Sequence, residues 1–303
     1  MAESMSTPSP SEPVPVILSG SPTQPEVRRG PVPRQGILRI KPHMVAAQVG
    51  DSSAGRINLS SNESAWGPSP LALTAAHRAL DTIERYPEDA PLKLAQSIGQ
   101  RYGLNPDQLV VGHGSDELLQ RLARGFLNPG DEVIHSARGY LKFPNYAHAM
   151  GAVPVAAPDQ DFQASVDQML ACVSPRTRMV LLANPDNPTG TLLSGTEIRR
   201  LHAGLPENVL LVLDSAYAEY VADPGYELPQ ALIDSASNVV MTRTFSKIHG
   251  LAGMRLGWLY GPAPIVDVLQ RLGMTFPVSA PAAAAGIAAV MDREWQEQGK
   301  SQN

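Results

Sequence analysis

Cysteine is nearly absent. The single Cys172 in 303 residues excludes an intrachain disulfide framework and fits a reducing, cytoplasmic compartment. Nowhere do about eighteen uncharged apolar residues run together, so no membrane-crossing helix is expected. No basic start leads into an apolar stretch, which argues against a secretory signal. Excess positive charge is missing too: 24 Lys and Arg against 29 Asp and Glu give a net charge of -5 and a pI near 5.8. Without a basic stripe to neutralise phosphates, nucleic acid is not the expected partner. No repeat period or heptad is present either, which removes solenoids and coiled coils.

What is there reads as globular. With 43% hydrophobic and 17% charged residues, the chain can bury a sizeable core, in one large domain and one smaller one. Residues 1–35 stand apart, with Pro8, Pro10, Pro13, Pro15, Pro22, Pro25, Pro31 and Pro33 among Ser, Glu and Gly. Proline fixes φ and removes donors, so a disordered tail is expected there. From about Ala75, helix and strand signals alternate. Ser115–Phe126 and Tyr140–Met150 read as helices; 132–135, 178–183, 209–213 and 239–241 read as buried strands. Ala280–Trp295 reads as one further helix. Such alternation predicts a mainly parallel sheet covered by helices on both faces, a three-layer α/β/α fold.

Three polar motifs follow directly on apolar strand-like runs. They are Asn184-Pro185-Asp186-Asn187-Pro188-Thr189-Gly190, Asp214-Ser215-Ala216-Tyr217, and Thr244-Phe245-Ser246-Lys247 with Arg255 beyond. In an open α/β sheet the carboxyl ends of parallel strands converge on one crevice, so these motifs can surround one ligand. Lys247, beside hydroxyls and a second cation, suits a lysine that holds a phosphorylated aldehyde cofactor. Taken alone, each motif has a plain alternative: a strand-end charge for Lys247, an N-cap for Asp214, a turn residue for Asn187, a core ring for Tyr217.

In this order, together with Asn58-Leu59-Ser60-Ser61-Asn62-Glu63, Arg85-Tyr86-Pro87, Gly112-His113-Gly114-Ser115-Asp116-Glu117 and Arg255-Leu256-Gly257-Trp258, the motifs resemble those of the class I/II pyridoxal-phosphate aminotransferases of fold type I. The likeness is to their histidinol-phosphate aminotransferase branch. It implies a seven-stranded sheet with one antiparallel strand, supplied by 254–260. It also implies a large cofactor-binding domain over 76–275, an amino-terminal arm over 36–75, and the incomplete start of a small carboxyl-terminal domain over 276–303.

The same resemblance distributes roles. Lys247 would carry the cofactor aldehyde and move the substrate's α-proton, and Asp214 would face the ring nitrogen. Tyr217 and Asn187 would donate to the phenolic oxygen, and Tyr140 would stack on the ring. The phosphate would lie on the helix start Gly114-Ser115-Asp116, with Thr244, Ser246 and Arg255. Many glycine-led helix starts bind nothing, and Tyr140 could equally be a core ring. Tyr86 would reach the cofactor of a neighbouring subunit, which implies a homodimer; otherwise it is a surface tyrosine before a proline turn.

The implied activity is transfer of an amino group between an amino acid or amino-alcohol phosphate, histidinol phosphate or an aromatic amino acid, and a 2-oxo acid. Pyridoxal 5'-phosphate is the implied cofactor and no metal is implied. Two alternatives stand beside it: a decarboxylase or lyase of the same fold, since cofactor ligands do not choose which bond breaks, and a truncated, poorly active homologue. The family's carboxylate-gripping arginine has no counterpart in the sequence. Arg271 and Arg293 sit in other contexts. Asn62 is a candidate substrate contact or a turn residue, and His113 and His249 carry no assignment.

Overall fold

The computed structural model describes residues 33–40 and 59–303. The proline-rich tail up to residue 32, and residues 41–58 of the expected amino-terminal arm, lie outside the described residues.

Seven strands form one sheet: β1 Leu109–Gly112, β2 Glu132–Ser136, β3 Val153–Ala157, β4 Thr177–Ala183, β5 Leu210–Asp214, β6 Val239–Thr244 and β7 Gly257–Tyr260, in the order β1-β7-β6-β5-β4-β2-β3. β7 runs antiparallel to both its neighbours, β1 and β6, while the pairs β6-β5, β5-β4, β4-β2 and β2-β3 are parallel. β1 therefore points the same way as β6, and the carboxyl ends of β1, β4, β5 and β6 share one edge. The three-layer, mainly parallel sheet with a single antiparallel strand stands as the motifs implied.

Strand alternation sorts the core into two faces. On one face Val111, Val180, Leu182, Leu211, Leu213, Met241, Trp258 and Tyr260 meet α2 Ala90–Tyr102, α5 Val166–Ala171, α6 Gly195–Gly204 and α9 Ala280–Met291. On the other, Val110, Val133, Leu181, Val212, Val240 and Leu259 meet α3 Ser115–Phe126, α4 Phe143–Met150 and α8 Ala263–Leu272. The helix α7 Gln230–Ser235 contributes Ile233 to the first face, and α1 Pro70–Ala79 packs on α9. Among the described residues no helix is long and apolar enough to cross a membrane.

The expected strands shift by a residue at some ends and β6 runs on to Thr244; three further boundary differences have a local cause. The helix expected from Tyr140 starts at Phe143, next to Pro144, which favours a first-turn position. Strand β7 starts at Gly257 rather than Met254, because 252–254 form a 3-10 turn and Arg255 is left-handed, with φ 51° and ψ 60°. The single helix expected over 280–295 breaks at Asp292, where α10 Arg293–Ser301 begins. Asp292 leaves helical geometry to cap α10, its Oδ1 accepting from Trp295 N at 3.2 Å, while Oδ2 accepts from Ser69 Oγ at 2.5 Å. Ser69 in turn caps α1 by accepting from the N–H groups of Leu71 and Ala72, so one serine and one aspartate fix two helix starts.

Candidate active site

β5 ends on Asp214. Its side chain is buried, and Oδ1 accepts from Thr242 Oγ1, one strand over on β6, at 2.9 Å. Burial pushes its pKa up to about 6; hydrogen bonds from Thr242 and the Ala216 N–H oppose the rise, and nearby Asp116 adds to it. A carboxyl so placed gains from a cationic neighbour, because a positive charge beside it would restore its ionisation.

β6 ends on Thr244, whose hydroxyl donates to Ser246 Oγ at 3.0 Å and accepts from the Ser246 N–H. The chain then turns through Phe245, anchored in the core, and presents Lys247. Its Nζ donates to the carbonyls of Ser61 and Asn62, both at 3.0 Å, and lies 5.4 Å from the Tyr217 ring centre. Burial, then the charge of Arg255, lowers the lysine's pKa, while Glu63 and Asp214 oppose that. A lysine with a lowered pKa keeps more free amine, the form that attacks a carbonyl carbon. Tyr217 Oη accepts from Asn62 Nδ2 at 3.2 Å, which leaves its own proton to give. Burial raises its pKa and the Asn62 bond opposes the rise.

An anion cradle forms where β1 turns into α3. Gly114, the cap residue, has φ 85°, and a Cβ there would lie 2.9 Å from Arg255 Nη2. On the facing strand a Cβ on Gly257 would lie 2.4 Å from the Ser115 backbone nitrogen. Both glycines are thus required for the close approach of the Arg255 segment to the first turn of α3. The result is a set of backbone N–H groups without intrahelical acceptors beside a guanidinium, the donor chemistry a phosphate dianion needs. Arg255 Nη1 meanwhile donates to Ala252 O at 2.9 Å, which fixes the fork.

One cavity of about 390 Å³ gathers these groups. Its wall includes Ser115, Asp116, Tyr140, Asn187, Asp214, Tyr217, Thr244, Ser246, Lys247 and Arg255. The Tyr140 ring meets Phe143 edge-on at 5.4 Å between centroids, and its hydroxyl pKa is raised mainly by burial. A wider chamber of about 800 Å³ adjoins it across Asn187, Tyr217 and Lys247 and extends to Asn62, Tyr220 and Asp223. Tyr86 is not on either wall: it is 74% exposed and stacks on Phe276 at 4.3 Å.

Sequence reasoning missed Lys142, Ser61 and Glu63 on the cavity wall, and the buried Arg243–Glu219 ion pair behind it. Ser61 and Glu63 lay inside a recognised motif, so proximity to Asn62 was an available signal. Lys142 carried none, because its place on the wall depends on the late start of α4.

The fold, a seven-stranded mainly parallel sheet with one antiparallel strand, is that of the fold type I transferases. The chain belongs to the aminotransferase class I and II family, whose model matches residues 54–302. It is 47% identical over 274 residues to a histidinol-phosphate aminotransferase of Rhodospirillum centenum, covering 90% of this chain and 76% of that protein. With the enzyme of the same name from Rhodopseudomonas palustris strain TIE-1 it shares 48% over 263 residues, 86% of this chain and 72% of the relative. Among solved structures, the histidinol-phosphate aminotransferase of Sinorhizobium meliloti in complex with pyridoxal-5'-phosphate superposes with a TM-score of 0.76 at 32% identity. That match covers 80% of this chain and 66% of the solved one, so the chain spans just under two thirds of that structure. An aspartate aminotransferase of Thermus thermophilus, 21% identical with a TM-score of 0.71, shares the fold.

Proposed function

We infer that the chain is a pyridoxal-phosphate-dependent aminotransferase with histidinol phosphate, the substrate in its relatives' name, as amino donor and a 2-oxo acid as acceptor. The observation that carries the reading is the shared wall: Lys247, Asp214, Tyr217, Asn187 and Arg255 line one cavity at the strand ends. The donor set fits the cofactor part by part. Ser115 and Asp116 N–H, Thr244, Ser246 and Arg255 offer donors for a phosphate, and Asp214 offers a buried counter-charge for a ring nitrogen. Asn187 and Tyr217 offer donors for a phenolic oxygen, and Tyr140 an aromatic face.

Pyridoxal phosphate, when bound, supplies an electrophilic carbon for amine exchange and a cationic ring that accepts electron density. The protein does the rest. Lys247 Nζ forms and releases the covalent anchor, and as a free amine takes the proton from the substrate α-carbon. Asp214, buried at the end of β5, would supply the counter-charge that keeps a ring nitrogen protonated, and Arg255 with the α3 start would hold the phosphate. Lys247 must first leave the Ser61 and Asn62 carbonyls to which its amine donates.

We further take the active unit to be a homodimer in the cytoplasm. Tyr86, exposed and stacked on Phe276 a few residues after exposed Leu80 and Ile83, supports a subunit contact there. We assign the cofactor to a large domain over 76–275, with 36–75 and 276–303 in a smaller one; the packing of α1 on α9 supports joining these segments.

The test is to add pyridoxal phosphate to purified protein, record the visible band, then supply histidinol phosphate and 2-oxoglutarate. Cofactor binding, bleaching of the band by the donor and glutamate formation are the expected results. Absence of binding would overturn the reading, and carbon dioxide release without need of a 2-oxo acid would replace it with decarboxylation. Sedimentation of the purified chain checks the dimer.

A further inference from the structure

The wall of the cofactor-sized cavity carries three carboxylates, Glu63, Asp116 and Asp214, and three cations, Lys142, Lys247 and Arg255. A pyridine-type ring has one basic nitrogen, so one acid at most can pair with it. Asp214 stands at the end of β5 with Thr242 as its side-chain partner, a neutral hydroxyl. Asp116 is already surrounded. It accepts from Tyr146 Oη at 2.6 Å, Gln120 Nε2 at 3.0 Å and Lys142 Nζ at 3.2 Å.

The Lys142–Asp116 contact joins two pieces of the site. Asp116 is the second residue of α3, in the anion cradle; Lys142 is the residue just before α4, two positions after Tyr140. The side chains are 37% and 28% exposed, so the pair is partly screened but still faces the cavity. The charge of Asp116 is felt around it: after burial, it is the next cause raising Tyr140 and Tyr146, and it also raises Asp214.

Resting on the pyridoxal-phosphate reading, we propose that Lys142 is a positioning residue. Its ammonium neutralises Asp116 and ties the anion cradle to the turn bearing Tyr140, which leaves Asp214 as the buried acid that meets the cofactor ring. The charged and titratable groups around the cavity that act with it are Asp116 on α3, Tyr140 and Tyr146 beside and on α4, Asp214 on β5, Glu63 and Tyr217, and the cations Lys247 and Arg255.

The experiment uses the full chain with pyridoxal phosphate and the variants Lys142→Met, Lys142→Arg and Lys142→Glu. Three quantities are read: the cofactor dissociation constant, the pH midpoint of the bound cofactor's visible band, and urea unfolding without cofactor. Removing a cation makes the cavity more negative and favours its protonated forms, so Lys142→Met raises the midpoint, by about half a pH unit for a partly screened charge. Binding weakens several-fold, Lys142→Glu shifts the midpoint further the same way, and Lys142→Arg restores both readings. A role in stability alone moves urea unfolding and leaves the midpoint in place; that result, or a midpoint that falls, overturns the proposal. No visible band in the unaltered chain overturns it together with the functional reading. A normal band there with an unmoved midpoint in Lys142→Met overturns the Lys142 proposal alone.

Discussion

Asp214→Asn should make the cofactor-free protein more stable while making it a poorer holder of cofactor. Burial raises the Asp214 pKa from 3.8 to about 6. Below about pH 4 the carboxyl is neutral both folded and unfolded, so it costs nothing. Between about 4 and 6 the unfolded chain ionises first, and the folded state loses stability as pH rises. Above 6 the loss is complete. The gap corresponds to about 3 kcal/mol at 1.36 kcal/mol per pH unit, a ceiling set by how far the site relaxes or admits water.

Asparagine keeps an acceptor for Thr242 Oγ1 without the charge, so the difference between variant and parent isolates this one group. The assay is urea unfolding of both proteins without cofactor at several pH values. The stability difference should grow in favour of Asp214→Asn between about pH 4 and 6, then level off. Pyridoxal phosphate should reverse the order, stabilising the parent more because only the parent offers a counter-charge to the ring. A difference that is flat with pH, or a variant less stable at pH 8 than at pH 4 relative to its parent, would refute the reasoning.

Other outcomes follow from the same geometry. Lys247→Ala should abolish turnover and the covalent cofactor band, seen by absorption before and after borohydride treatment. Gly257→Ala places a Cβ 2.4 Å from the Ser115 nitrogen; the cradle must shift, and cofactor affinity should fall tenfold or more, on the order of 1.4 kcal/mol, by titration. Arg243→Met should cost roughly 3–5 kcal/mol in urea unfolding, because it leaves the Glu219 carboxylate buried without its partner.

Element types were legible because hydrophobic period and turn chemistry agree along most of the chain. Ser115–Phe126 could be read to the residue from the glycine before it, the acids in its first turn and its apolar spacing. Where the reading slipped, tertiary contacts outweighed local pattern. Within 280–295 the local sign of a break is Asp292, an N-cap residue type that the alanine-rich run before it outweighs; its contact with Ser69, 223 positions away, is not legible locally. Likewise the family resemblance implies an antiparallel strand from Met254, but 252–254 form a 3-10 turn and Arg255, left-handed beside Gly114, delays the strand to Gly257. In the cavity, residues that are themselves chemically marked, such as Lys247 and Asp214, could be named from sequence order. Lys142 and Ser61 could not, because one acts through a neighbour on another helix and the other through a backbone carbonyl common to every residue.

The end of β6 shows why a buried strand finishes in three polar residues. Thr242 and Thr244 point to the same side, where one bonds Asp214 and the other lines the cavity. By strand alternation Arg243 points to the opposite side, among Tyr102 and Trp258, whose rings lie 5.1 and 5.3 Å from its guanidinium carbon. A guanidinium 2% exposed needs a counter-charge, and Glu219 supplies it at 2.5 Å. Glu219 lies two residues beyond Tyr217, and His249, two beyond Lys247, lies 3.8 Å from the same carboxylate. Burial pushes His249 down to about 4, so it stays neutral at physiological pH and adds no second cation. The loop bearing the candidate phenol is therefore fastened, from behind, to the strand that bears the hydroxyls, while neutral His249 packs beside the pair with its ring 4.8 Å from that of Phe245. A buried pair of this kind contributes little net stability compared with apolar packing; what it fixes here is the spacing of groups on the other side of the sheet, which is where the chemistry requires accuracy.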